Sequence, residues 1–168
     1  MTMWVAFYKG TRPGLAGNFN RGVRWWTHGP YSHCELVIAL LADGQAQCWS
    51  SANLDGGVRP KLITLDPAHW DVIEVPWANP FEALDWFVLH EGDRYDTLGL
   101  FGFVGRRGDG DKDKWWCSEA CAAALGLDEP WRYCPNALAA ILRSMNQLYS
   151  RIRTAPFPLQ PLAIPAFV

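Results

Sequence analysis

A chain of 168 residues is long enough for one domain with a proper core and too short for two ordinary ones. Its 15 basic and 17 acidic side chains leave a formal net charge of -2, and no basic stripe is large enough to neutralise a run of phosphates, so nucleic-acid binding is disfavoured. Hydrophobic residues at 49% place it among globular proteins rather than disordered ones, and ten Trp hint at aromatic-lined surfaces.

Met3 to Tyr8 reads as an edge or first strand, followed by a loop punctuated by Gly10, Pro13, Gly14 and Gly17. Asn18 is placed to cap a short helix through Phe19, Val23, Trp25 and Trp26, which Gly29-Pro30 stops. Ser32 to Leu41 and Gln45 to Ser51 read as strands joined by an Ala42-Asp43-Gly44 turn. Val58 to Leu65 and Asp71 to Val75 continue the series, which predicts a mainly antiparallel sheet. Pro80 to Glu91 carries a helical apolar stripe with Pro in its first turn. Leu98 to Val104 reads as a short helix and Arg106 to Lys114 as a charged, Gly-broken loop. Ser118 to Leu125 is an Ala-rich helix ended by Gly126, and Pro135 to Leu148 is the last helix. The expected class is α+β, an antiparallel, partly barrel-like sheet with helices packed around it. One domain is expected over 1–168: a His-bearing strand region over about 1–78, a Cys-bearing helical region over about 79–148 and a Pro-rich C-terminal arm over 149–168. Met1 to Lys9 does not read as a signal peptide, so a cytoplasmic location as synthesised is expected. No apolar run approaches the roughly 18 residues that a transmembrane helix needs.

Chemistry concentrates at Trp115-Trp116-Cys117-Ser118-Glu119. Cys117 falls where a charged loop becomes an Ala-rich helix. A thiol there faces the positive end of the helix macrodipole and free backbone N–H groups, which favour the thiolate and can hold an oxyanion. The competing reading is a buried, packing cysteine. Cys121 lies one turn on and reads as core, Cys34 and Cys48 as strand packing, and Cys134 as a turn residue without a base nearby. A thiolate enzyme needs a base. His33, in Tyr31-Ser32-His33-Cys34-Glu35-Leu36, has its direction fixed by a strand, whereas His28, His69 and His90 read as surface or satisfied histidines. A third group should orient the imidazole: Glu35 along the same strand, or Gln47 or Ser51 across the pair. Cys117, Cys121 and His33 could instead hold zinc, but structural zinc sites show two close ligand pairs and this chain offers one. The Asp/Lys run 109–114 does not follow a calcium-loop pattern. No cofactor or metal is expected.

Ser32-His33-Cys34-Glu35-Leu36-Val37-Ile38, then Cys48-Trp49-Ser50-Ser51 and Gly56-Gly57-Val58, resembles the His-bearing hairpin of NlpC-like papain-fold thiol hydrolases. Gly92-Asp93-Arg94-Tyr95-Asp96 followed by Trp116-Cys117-Ser118-Glu119 resembles their Tyr-then-Cys segment. Here the His hairpin comes first, which resembles the circularly permuted branch of YiiX-like bacterial proteins and lecithin:retinol acyltransferase relatives. The resemblance covers roughly residues 4–145. It implies a permuted papain-like order, Cys117 as nucleophile, His33 as general base and Tyr95 as an oxyanion-hole hydroxyl. The family's polar third position falls near Trp49, whose ring N–H cannot accept a hydrogen bond. The orienting role therefore passes to Gln47, Ser51 or Glu35, or the site works as a dyad. The implied activity is hydrolysis of an amide bond, such as a cell-wall peptide, by a cysteine peptidase or amidase. The alternatives are an acyl-ester or lipid hydrolase or acyltransferase, and a non-catalytic binding module on the same fold. The expected partner is accordingly a peptide or acyl substrate.

Overall fold

The computed structural model describes residues 2–42, 44–96 and 113–154. Seven strands among them form one sheet: β1 (Trp4–Tyr8), β2 (His33–Leu40), β3 (Gln45–Ala52), β4 (Gly57–Thr64), β5 (Trp70–Glu74), β6 (Arg94–Tyr95) and β7 (Lys114–Trp115). The spatial order is β5-β1-β2-β3-β4-β6-β7. Every neighbouring pair is antiparallel except β6 and β7, and the sheet curls into a half-barrel. The helices are α1 (Gly14–Trp26), α2 (Pro80–Leu89), α3 (Cys117–Ala124) and α4 (Pro135–Thr154). The fold is α+β.

The pleat divides the sheet residues between two clusters. Val5, Phe7, Cys34, Leu36, Ile38 and Trp49 pack with Phe87 of α2, Ala120 and Cys121 of α3 and Leu138 and Leu142 of α4 in the main core. The alternate residues Ala6, Val37, Ala46 and Cys48 join Trp70 in a smaller cluster on the opposite side. Burial of this apolar area, at about 25 cal/mol per Å², is what holds the short α3 against β2 and β3.

Several elements differ from the sequence expectation for physical reasons. β1 is an interior strand between β5 and β2, not an edge. α1 begins at Gly14, four residues before the expected cap, because Gly17 lets the first turn press on the Arg12 carbonyl; a Cβ there would lie 2.0 Å from that oxygen. Asn18 is not the cap: its side-chain oxygen accepts from Arg21, and the N-cap is Pro13. α4 continues to Thr154, so the first six residues of the expected arm are helical. The short strands β6 and β7 were not legible as strands. Position 43 of the hairpin turn, the helix expected over Leu98 to Val104, most of the Arg106 to Lys114 loop and the rest of the C-terminal arm lie outside the described residues.

One glycine decides where Tyr95 sits. Gly57 has φ 150° and pairs with Arg94, and a Cβ on it would lie 1.8 Å from the Asp93 carbonyl oxygen. Only a residue without a side chain lets β4 approach β6 this closely.

Candidate active site

Cys117 is the first residue of α3, after Trp116 at the N-cap. The helix start is fastened twice. The Glu119 side-chain Oε2 accepts the Trp116 backbone N–H at 3.4 Å, and the Ser118 hydroxyl and Trp116 ring N–H both donate to the Tyr133 carbonyl, at 2.7 and 3.3 Å. The α3 start therefore cannot drift from the loop that leads into α4.

His33 opens β2, where Tyr8 of β1 fixes its register. Its Nε2 lies 2.8 Å from Glu35 Oε1, leaving Nδ1 for the thiol. Glu35 is almost fully buried and accepts two further bonds from Arg59 of β4, Nη1 to Oε2 and Nη2 to Oε1, both 2.8 Å. Arg59 Nε in turn donates to Asp55 at 2.7 Å, and Lys61 Nζ reaches the same carboxylate at 2.8 Å. The sulfur, the imidazole, Glu35, Arg59, Asp55 and Lys61 thus form a chain of alternating charge from the buried start of α3 to the surface.

The electrostatics favour an ion pair at its inner end. Burial pulls the His33 pKa down, but the Cys117 sulfur and the Glu35 carboxylate outweigh it, and the imidazole is raised from 6.5 to about 10. The Cys117 thiol is held well below its ordinary value, first by the S–H that Cys34 donates to the sulfur, against burial, and then by the imidazolium. Cys34 is pushed up by burial and by its sulfur neighbours, so it stays a thiol and a donor. Glu35 is kept ionised despite burial by Arg59 and His33.

Beside His33 lies a cleft of about 240 Å³, lined by Leu15 and Phe19 of α1, Ser32, Leu54 and Tyr95 among others. Asn20 of α1 donates to the Ser32 hydroxyl at 3.0 Å and ties this wall to the start of β2. Tyr95 is half-buried, and burial and the neighbouring Cys117 and Cys34 raise its hydroxyl pKa, so it remains a protonated donor beside the thiolate. No family model, curated protein or solved structure matches the chain.

The structure brings Cys117, His33, Glu35 and Tyr95 together and leaves two of the candidates out. Gln47 pairs with Ala39, six residues along β2 from His33 or about 20 Å at 3.3 Å per residue, and is exposed. Ser51 donates to the Trp115 carbonyl at 2.6 Å and holds β7 in place instead of the imidazole. Trp49 packs on Phe87 with ring centroids 5.7 Å apart, in the core. Cys121 is fully buried core, and among the described residues no cluster of metal-ligating side chains forms. Sequence reasoning missed Arg59 and the role of Cys34. The signal for Arg59 was indirect: a strand carboxylate that must be buried needs a cation, and Arg59 and Lys61 are the two cations of β4.

Proposed function

We propose that the protein is a cysteine-dependent hydrolase that cleaves an amide bond through an acyl-enzyme. The observation that carries this is the buried Cys117–His33–Glu35 arrangement at a helix start, beside an open cleft. The permuted resemblance to NlpC-like thiol hydrolases supports the same roles. In the proposed reaction the Cys117 thiolate attacks the substrate carbonyl carbon and forms a C–S bond. The carbonyl electron pair moves to oxygen, held by the Cys117 backbone N–H and the Tyr95 hydroxyl. The tetrahedral intermediate collapses, the C–N bond breaks, and the imidazolium gives its proton to the leaving amine. Neutral His33 then takes a proton from water, which attacks the thioester carbonyl and releases the acid and the thiolate. Glu35 keeps the ring oriented throughout. A second reading, hydrolysis or transfer of an acyl ester, is favoured by the apolar lining that Leu15, Phe19 and Leu54 give the cleft. A binding module without turnover remains the outcome if the thiol is unactivated.

The test is the alkylation rate of each cysteine against pH, read by peptide mass mapping. Cys117 should react at mildly acid pH, while the raised thiols Cys34 and Cys48 stay inert there. His33→Ala should slow Cys117. If Cys117 reacts no faster than Cys34 across the range, the hydrolase reading fails.

A further inference from the structure

Helix α1 is mounted inside out. Leu15, Phe19 and Trp26 recur at i, i+4 and i+11, which at 100° per residue places them in one narrow stripe, with Trp25 on its flank. An amphipathic helix on a globular domain normally turns such a stripe to the core. Here it faces outward: Leu15 is 86% exposed, Trp25 76%, Trp26 48% and Phe19 43%. The buried face is Gly17 and Asn20, and Asn20 satisfies itself there on Ser32 and on the Arg12 backbone N–H. The domain thus spends a polar contact to hold the helix with its apolar side out.

The surroundings of the stripe are one-sided in charge. From Met1 to Cys34 the sequence contains Lys9, Arg12, Arg21 and Arg24 and no Asp or Glu. Lys9 is neutralised by Asp71 at 2.6 Å. Arg12 lies over the Tyr8 ring, Arg21 bonds Asn18, and Arg24 turns back to the Lys9 and Gly10 carbonyls and the Thr11 hydroxyl. No carboxylate pairs with these three arginines among the described residues. The outer apolar residues Leu15 and Phe19 also form a wall of the cleft that holds His33.

We infer that α1 is an interfacial helix that docks the cleft mouth on an anionic phospholipid surface. Exposed Trp and Phe suit the boundary between acyl chains and headgroups, and arginines without a carboxylate partner suit anionic headgroups. A neutral or basic apolar protein groove would leave the arginines unmatched. The docking does not depend on catalysis. Its use, to bring a membrane-borne acyl or amide group to Cys117, rests on the hydrolase reading.

The experiment is flotation of the full chain with phosphatidylcholine vesicles, with and without phosphatidylglycerol. The chain should float with the anionic vesicles and far less with the neutral ones. Replacing both indoles, Trp25→Ser with Trp26→Ser, should cut partitioning by about tenfold or more. Arg21→Gln should cut it by about fivefold on the anionic vesicles alone. Phe81→Ser, which removes an equally exposed aromatic on α2, should change nothing. Absence of binding by the unaltered chain, or an equal loss with Phe81→Ser, overturns the inference. So does a dimer in solution that the indole replacements dissolve without any vesicle binding, which would assign the face to a second copy. Cys117 alkylation on the same samples separates the two proposals. Reactivity without flotation sinks docking alone, and flotation without reactivity sinks the hydrolase alone.

Discussion

Replacing Glu35 with Gln keeps the shape of the side chain and removes the one negative charge between two buried cations. Glu35 accepts three bonds, two from Arg59 and one from His33, and its side chain is 1% exposed. Breaking a buried ion pair by neutralising one partner costs about 3–5 kcal/mol. The lower end applies because Asp55 still holds Arg59 through Nε at 2.7 Å. At about 2–4 °C per kcal/mol for a chain of this size, the melting temperature should fall by about 6–12 °C. The more specific readout is His33. Its pKa stands at about 10 against 6.5 unfolded, so it contributes stability that is complete below 6.5 and lost as pH rises through 10. Without the carboxylate, the imidazolium should titrate about 1–3 pH units lower, because one of its two opposite charges is gone. The part of the stability gap that passes through His33 should then be constant near neutral pH and close as pH approaches 10. Nitrogen-detected imidazole titration of the two proteins measures the first, and thermal unfolding against pH the second. A His33 titration unchanged in Glu35→Gln refutes the coupling, whatever the change in stability.

Two other substitutions probe groups of different origin. Tyr95→Phe should leave the fold and the acid-pH alkylation of Cys117 intact while lowering turnover of a p-nitrophenyl acyl ester by about a hundredfold, the loss expected for one oxyanion donor; an unchanged rate would remove Tyr95 from the mechanism. Glu119→Gln should stabilise the protein. Burial first, and Asp96 second, raise the Glu119 pKa from 4.5 to about 8 against the pull of the Trp116 N–H, so ionisation costs stability progressively as pH rises from 4.5 to 8. Gln keeps the acceptor for Trp116 and carries no charge, for a gain of about 3 kcal/mol at pH 7 that vanishes below 4.5. Urea unfolding at pH 4 and pH 7 checks the sign, and a gain that does not grow with pH refutes it.

The parts of the fold that were legible are those whose pattern is local. The hairpin of β2 and β3 follows from alternation around a Gly turn, and the start of α2 from Pro80; the Asn79 cap, whose side chain accepts the Phe81 N–H at 3.1 Å, was not read. Cys117 at the start of α3 was legible for the same reason, since an Ala-rich run after a charged loop marks its own boundary. What escaped depends on contacts distant in sequence. β6 and β7 are two residues each and exist because Gly57 admits the Asp93 carbonyl and Arg94 pairs with Lys114. Arg59 matters only because β4 returns beside Glu35, 24 residues earlier. Gln47 shared a face with Ser51 by alternation, which was sound, but six residues of strand length separated it from the imidazole. The outward mounting of α1 is a similar case: the sequence shows the apolar stripe, and only packing shows which way it faces.

Why one sulfur can be served by two successive residues of a strand is a question of position rather than of chemistry. In a pleated strand neighbours point to opposite faces, so Cys34 turns to the main core with Leu36 and Ile38, while His33 and Glu35 turn the other way. A sulfur lying over either face would meet one of the pair and never both. Cys117 meets both because α3 begins at the end of β2, where the imidazole of the first strand residue can fold past the backbone toward the sulfur that Cys34 already touches. The two contacts also do different work: the Cys34 S–H donates without carrying charge, and the imidazolium supplies the charge and the proton. This makes the register of β2 part of the site. A slip of one residue would turn Glu35 into the apolar core and Cys34 toward Arg59, exchanging a paired carboxylate for an unpaired one and losing the thiolate's donor at once. The three bonds on Glu35 therefore hold the orientation of His33 and also tie β2 to β4 across the intervening β3.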